Sequence, residues 1–286
     1  MRCGFTGAIA TGLAKRGHVP SALIIPGHPR LERPVRIDPN VTMLPIAGKP
    51  GSTTVTRYPT YSVGSLTSPG TIELVESFTP DVLIVACFPR LIPRVIREIP
   101  HLTALNVHPS LLPAHRGPDP LFWIMRDGGS GCGVTLHELD RRFDTGAILA
   151  QRAVQYPDGV RKSELEFLLA ANGAELTAEI MDSLAVVRLC GEQQDARLAS
   201  YESWPTSDDF TIDTQRPARN AWNFIRGVAG RGIPVRVQTD TGPVLVADAL
   251  AYGDVGELPA TPETDQVVLQ FASGWVLAQI GLNEND

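Results

Sequence analysis

The sequence predicts an α/β protein: a doubly wound, mostly parallel sheet over the first two hundred residues, then a small C-terminal β-barrel-like domain. Three observations predict it. Short, continuously apolar runs alternate with helical patterns up to about residue 200, as in a sheet covered on both faces. YESWPTSDD at 201–209 breaks that pattern with proline, serine and aspartate. Beyond it, apolar segments recur at hairpin spacing. The expected domains are 1–204 and 205–286, and 286 residues suffice for two hydrophobic cores.

Each element follows from its pattern. VPSALIIPG (19–27), DVLIVACF (81–88) and TALNVHP (103–109) read as strands, separated by the helical patterns TIELVESFTP (71–80) and PRVIREIP (93–100). PDPLFWIMRDGG (118–129) is expected as a helix with Asp119 as N-cap, Pro120 at the first position and Gly128 beyond its end. GVTLHEL (133–139) and AILAQRAVQYP (147–157) are strands joined by the loop DRRFDTG. A long helix follows from about Lys162 to Leu189, burying Leu165, Leu169, Leu176, Ile180, Leu184 and Val187. The second domain opens on the helix RPARNAWNFIRGVAG and continues through PVRVQTD, PVLVADALAYG and QVVLQFASGWVLAQI as strands.

Composition narrows the function. Hydrophobic residues make up 43% and charged residues 20%, no apolar run reaches membrane-spanning length and no secretory leader opens the chain, so a soluble, cytoplasmic protein is expected. Cys3, Cys87, Cys132 and Cys190 form no C-x-x-C pair and no histidine stands at metal-ligand spacing. They are expected as buried small hydrophobes, with neither a metal site nor a disulfide framework. Net charge is −6, and all of that excess lies from Pro205 onward, where five arginines and no lysine face eleven acids. Such a tail is a poor electrostatic partner for nucleic acid. Glycine-rich phosphate loops are absent, and the arginines at 30, 33 and 36 beside Glu32 read first as a solvated loop, with phosphate contact as the alternative.

Two stretches carry candidate chemistry. In TALNVHPSLLP, strand alternation puts Leu105 and Val107 on one face and Asn106 and His108 on the other, at the carboxyl end where an open α/β sheet binds its ligands. An amide can donate to a developing oxyanion and an imidazole can move a proton at neutral pH, which together suit acyl transfer. The same two residues also suit the capping of a turn. In DRRFDTG (140–146) a carboxylate could orient the histidine, or the sequence could be an ordinary turn. His115 and Arg116 read as loop residues, and His137 as a satisfied core histidine.

NVHPSLLPAHRG, followed by GVTLHELDRRFDTGAILAQ, resembles the formyltransferases that use 10-formyltetrahydrofolate, with weaker similarity from about Phe5 to Leu184. That family includes methionyl-tRNA, glycinamide ribonucleotide and sugar-nucleotide formyltransferases. The resemblance implies a Rossmann-like catalytic domain in which Asn106 holds the formyl oxygen, His108 moves the proton and Asp144 sets the charge of His108. It implies a folate pocket from Phe88, Pro89, Arg90, Leu91 and Ile92, from Ser110, Leu111, Leu112 and Pro113, and from Leu139, Asp140 and Arg142, with no metal. The barrel-like (OB-like) second domain favours methionyl-tRNA as the amine acceptor. An amino sugar nucleotide remains the alternative, as does an inactive truncated relative that binds folate or a partner. FTGAIATGLAKRGHVPSALII resembles the family's first helix and second strand, so the family's first strand is expected to be missing.

Overall fold

The computed structural model describes residues 4–27, 35–38, 41–44, 58–187, 189–257 and 261–281. Its elements run α1 (Gly4–Lys15), β1 (Leu23–Pro26), β2 (Val35–Asp38), β3 (Val41–Leu44), β4 (Thr60–Val63), α2 (Pro69–Ser77), β5 (Val82–Ala86), α3 (Arg94–Arg97) and β6 (Thr103–His108). Then come α4 (Pro120–Arg126), β7 (Gly133–Glu138), β8 (Ile148–Ala153), α5 (Lys162–Leu184), β9 (Thr211–Asp213), α6 (Ala218–Val228), β10 (Val235–Thr239), β11 (Gly242–Asp254), β12 (Gln266–Phe271) and β13 (Gly274–Ile280). The expected lack of a first strand and the arginines at 30 and 33 fall outside the described residues in whole or part: Met1–Cys3 and 28–34 are not described, and Gly4 already belongs to α1. Arg36 lies in β2 and not in a loop.

Contacts divide the chain into two compact units. One comprises the chain up to Arg116 with Gly133–Val154 and Phe167–Ser200; the other comprises Gly117–Cys132, Gln155–Glu166 and the chain from Tyr201. The units thus interleave along the sequence, whereas a composition shift marks only the last crossing, near residue 201.

The first unit is α/β. Its sheets have the orders β1-β4-β3-β2 and β5-β6-β7-β8, with parallel pairing in β1·β4 and β5·β6 and antiparallel pairing elsewhere. The antiparallel share follows from connections such as the short DRRFDTG loop, which can only return the chain beside the strand it leaves. Helix α5 lies over the second of these sheets: a Cβ added at Gly173 would sit 3.1 Å from Val107 of β6 and 3.3 Å from Val134 of β7. Gly12 of α1 approaches Ala174 of α5 so closely that a Cβ there would meet it at 2.9 Å. Phe5, Leu105, Val107, Val134 and Leu136 are essentially inaccessible between these layers. The long helix ends at Leu184 rather than Leu189, because its apolar stripe runs out of surface to cover: Val187 is 54% exposed.

The second unit carries one five-stranded sheet, β12-β13-β11-β10-β9, against which α6 packs with its Phe224 and Ile225 fully buried. Register shifts in β11 at Val246/Asp248 and Ala249/Ala251 interrupt its ladder with β13, the kind of bulge that locally bends a strand. β12 and β9 are its open edges among the described residues. Phe122 of α4 meets Phe210 and Phe224 at ring distances of 5.1 and 5.6 Å. Asp119 does precede α4, but its carboxylate binds Arg231 at 2.9 Å and Lys162 at 3.3 Å instead of capping the helix.

Of the described cysteines, Cys132 meets expectation and Cys87 and Cys190 depart from it. Cys132 is buried, and burial pushes its thiol up to about 11. Cys190 is exposed, and Cys87 is exposed and disulfide-bonded. Both follow the end of an apolar segment, where the chain has left the core. Among the described residues no helix is long and apolar enough to cross a membrane, and no group of three His, Cys, Asp or Glu could hold a metal ion.

Candidate active site

β6 sorts its side chains as alternation requires. Val107 faces α5, while Asn106 and His108 emerge on the opposite face at the strand's carboxyl end. Across the antiparallel β6·β7 ladder, Asn106 stands opposite His137 and His108 opposite Thr135. The register therefore delivers a second imidazole beside the amide.

The loop between β7 and β8 brings in the carboxylate. Asp140 shapes that loop by accepting from Thr145 Oγ1 at 2.7 and 2.8 Å and from the Arg142 backbone N–H at 2.8 Å. A side chain at Gly146 would run into the Glu138 carbonyl, so the DTG turn closes only with glycine there. Asp144 itself adopts a left-handed backbone at φ 56°, a conformation unusual for a residue with a side chain. Its Oδ1 lies 3.3 Å from Asn106 Nδ2, 3.5 Å from His108 Nδ1 and 3.7 Å from His137 Nε2. The fold thus gathers Asn106, His108 and Asp144, which are up to 38 residues apart in sequence, at one place.

Hydrogen bonds define the proton positions. His137 Nδ1 donates to the Glu138 carbonyl at 2.8 Å, which leaves Nε2 to accept from Asn106 Nδ2 at 3.1 Å. His108 Nε2 donates to the His115 carbonyl at 2.8 Å, so its Nδ1 is the lone pair turned toward Asp144. Burial is the main cause that lowers the His108 pKa; the charge of Asp144 and the His115 carbonyl push it back up, while His137 and His115 add to the lowering. His108 is therefore held neutral near pH 7, with a basic nitrogen beside an anion that would stabilise its protonated form.

The expected folate segments are placed as follows. Phe88 and Leu139, from different loops, pack against the buried cluster of Val75, Ile92 and Ile96. Pro89, Arg90 and Leu91 are exposed, and Arg90 donates to the Gly64 carbonyl at 2.6 Å. Ser110–Pro113 is fastened from beneath: Thr135 Oγ1 donates to Ser110 O at 2.7 Å and accepts from Leu112 N–H at 3.0 Å, and Gln151 donates to Leu112 O at 2.7 Å. Leu112 is buried, Leu111 half-buried and packed against Gly133. Arg142 is exposed, whereas the Asp140 carboxylate is spent within its own loop.

Several residues at the site went unassigned in the sequence. His115, expected as a loop residue, is buried and supplies the carbonyl that fixes His108. His137 is a satisfied core histidine as expected, yet its partner is Asn106. Thr135 and Gln151 build the Ser110–Pro113 floor, and Gln194 donates to the Asp144 loop. Only the alternation of GVTLHEL hinted at His137 and Thr135; nothing marked Gln194.

A buried imidazole with a carboxylate on one side and an amide beside it brings together, on an α/β fold, groups that can accept a proton and donate to an oxygen. The chain belongs to the formyl transferase family, whose profile matches residues 14–177. It is 35% identical over 158 residues to the methionyl-tRNA formyltransferase of Pelobacter propionicus, covering 55% of this chain and 50% of that protein. It is 34% identical over 171 residues to that of Chlorobium chlorochromatii, covering 60% and 54%. The chain spans about half the length of these curated relatives. Its fold is shared with HypX from Aquifex aeolicus in complex with tetrahydrofolic acid, at TM-score 0.52 and 20% identity, over 72% of this chain and 36% of HypX. It is also shared with an N-formyltransferase from Helicobacter canadensis in complex with folinic acid and dTDP-3-aminofucose, at TM-score 0.53 and 17% identity, over 68% and 71%.

Proposed function

We propose that this protein transfers a formyl group from 10-formyltetrahydrofolate to a primary amine, with methionyl-tRNA as the acceptor. The observation that carries the reading is His108 Nδ1 facing Asp144 Oδ1 at 3.5 Å, both side chains largely buried, with Asn106 on the same strand face. Residues 1–204 would form the catalytic domain and 205–286 a small accessory domain. The cofactor fits the residues present: Phe88 and Leu139, partly buried against the cluster that holds Ile92, offer apolar surface for a flat ring, next to loop backbone at Leu139–Arg142 that can read its polar edge. Ser110–Pro113 would border it. When bound, 10-formyltetrahydrofolate supplies the activated formyl carbon.

The chain's own residues then have distinct tasks. His108 Nδ1 takes a proton as the amine nitrogen bonds to the formyl carbon, and the resulting imidazolium is stabilised by Asp144 and by the His115 carbonyl. Asn106 re-aims toward the formyl oxygen the N–H that now reaches Asp144 at 3.3 Å, while His137 keeps the other. His108 then returns its proton to the departing folate nitrogen, so the cycle closes with no net proton on the enzyme. General acid–base transfer of this kind contributes about 10²–10⁴ in rate.

One observation favours a second acceptor, an amino sugar nucleotide. The region from Pro205 carries a net charge of −6, which opposes contact with the polyanionic backbone of tRNA. Mixing the protein with 10-formyltetrahydrofolate and either acceptor, and following tetrahydrofolate formation together with the formylated product, decides between them. Formyl-methionyl-tRNA is the expected product. Formylation of the sugar nucleotide alone would move the assignment to the second reading, and folate binding without turnover on any amine would leave a binding protein.

A further inference from the structure

The segment that follows α5 returns to the site and is fastened at both ends. Glu192 exchanges two backbone hydrogen bonds with Ile148 of β8, each 2.8 Å. At the other end Ser200 N–H donates to the Pro113 carbonyl at 3.2 Å, Ser200 O accepts from Arg116 N–H at 3.2 Å, and Ser200 Oγ accepts from His115 N–H at 2.8 Å. Between the anchors Glu192, Gln193 and Ala196–Leu198 are exposed, whereas Gln194 turns inward. Its Nε2 donates to the carbonyls of Asp144 at 3.0 Å and Gly146 at 2.7 Å. Its Oε1 accepts from Arg116 Nε at 3.1 Å and Nη2 at 2.6 Å. One amide thereby spends two donors on the loop and both lone pairs on a guanidinium.

We infer that Gln194 is a positioning residue for the reaction proposed above: it clamps the backbone on both sides of Thr145 and so fixes the Asp144 carboxylate against His108. This rests on the formyl-transfer reading for its catalytic consequence but not for its geometry. Asp144 sits in a left-handed conformation that L side chains avoid, and its carbonyl needs a donor to stay there. Asp140 holds the side-chain end of the loop and Gln194 the carbonyl side. Gln194 lies beyond the residues matched by the family profile, so the clamp is supplied from outside the shared segment. The titratable groups facing His108 are Asp144, His137 and His115; among their charges only that of Asp144 raises its pKa, beside the His115 backbone carbonyl, so letting Asp144 drift lowers it further.

Two variants separate the halves of the clamp. Gln194→Glu keeps the acceptor for Arg116 and loses both donors to the loop; Gln194→Leu loses everything. Imidazole NMR titration of His108, assigned with His108→Gln, reads the positioning without any turnover. The expected result is a downward shift of about half to one pH unit in Gln194→Leu and a smaller one in Gln194→Glu, whose added carboxylate pushes the other way, each variant still folded by circular dichroism. In parallel, kcat should fall about 10- to 100-fold with KM for 10-formyltetrahydrofolate within about twofold, since misplacement by about 1 Å costs that much. An unshifted His108 titration in folded Gln194→Leu protein overturns the inference, whatever happens to melting temperature. If wild-type protein formylates no amine, the function reading fails alone, and the titration still decides the role of Gln194.

Discussion

In the second unit, Asp119, Asp158 and Asp248 meet arginines at 2.9, 2.8 and 2.6 Å, and Asp119 also meets a lysine at 3.3 Å. In the first, Asp144 stands among an amide and two imidazoles at 3.3 to 3.7 Å. The first kind of pairing holds charges that do not change near neutral pH, and Arg219 accordingly holds the Asp158 carboxyl below its usual range. The second places a carboxylate beside groups whose protonation can change. Fixed pairs can only hold a structure together, whereas an anion beside a buried neutral imidazole prepays the stabilisation of a proton that has yet to arrive.

This contrast can be broken by substitution. His108→Ala should lower transfer by about 10²–10⁴-fold while folate affinity stays within about threefold, as read by steady-state tetrahydrofolate formation and equilibrium binding. A variant with near-normal turnover would take the histidine out of the chemistry. His137→Leu removes the acceptor that holds the Asn106 amide, so kcat should drop about tenfold and stability by about 1–3 kcal/mol in urea unfolding. The smallest effect is expected for Asp248→Ala, which breaks a half-exposed pair with Arg161: about 1 kcal/mol of stability and no measurable change in kcat. A large catalytic loss there would erase the distinction between the two kinds of carboxylate.

Much of the site could be read from the chain because strand geometry is local. A period of two put Asn106 and His108 on one face, and Pro109 marked the end of the strand that carries them. Asp144 was reachable only through family resemblance, since a loop 38 residues away gives no distance by itself. His137 was read correctly as buried, but its bond to Asn106 depends on the β6·β7 register, which sequence does not state. Gln194 left no trace: GEQQDARLAS has no periodicity, and its contact to Asp144 spans 50 residues. β9 escaped for a similar reason, being three residues long and paired with β10 across α6. The two-unit division followed contacts that composition cannot see, placing 117–132 and 155–166 with the C-terminal sheet.

The central claim is that a carboxylate's charge, and not merely its shape, drives proton transfer at the end of β6. Asp144→Asn tests it most directly, because the amide fills the same space and removes only the charge. With protein saturated in 10-formyltetrahydrofolate and mixed with an amine acceptor it turns over, single-turnover tetrahydrofolate formation should slow on the order of 10²–10⁴-fold with folate still bound. Wild-type rates in that variant would contradict the account.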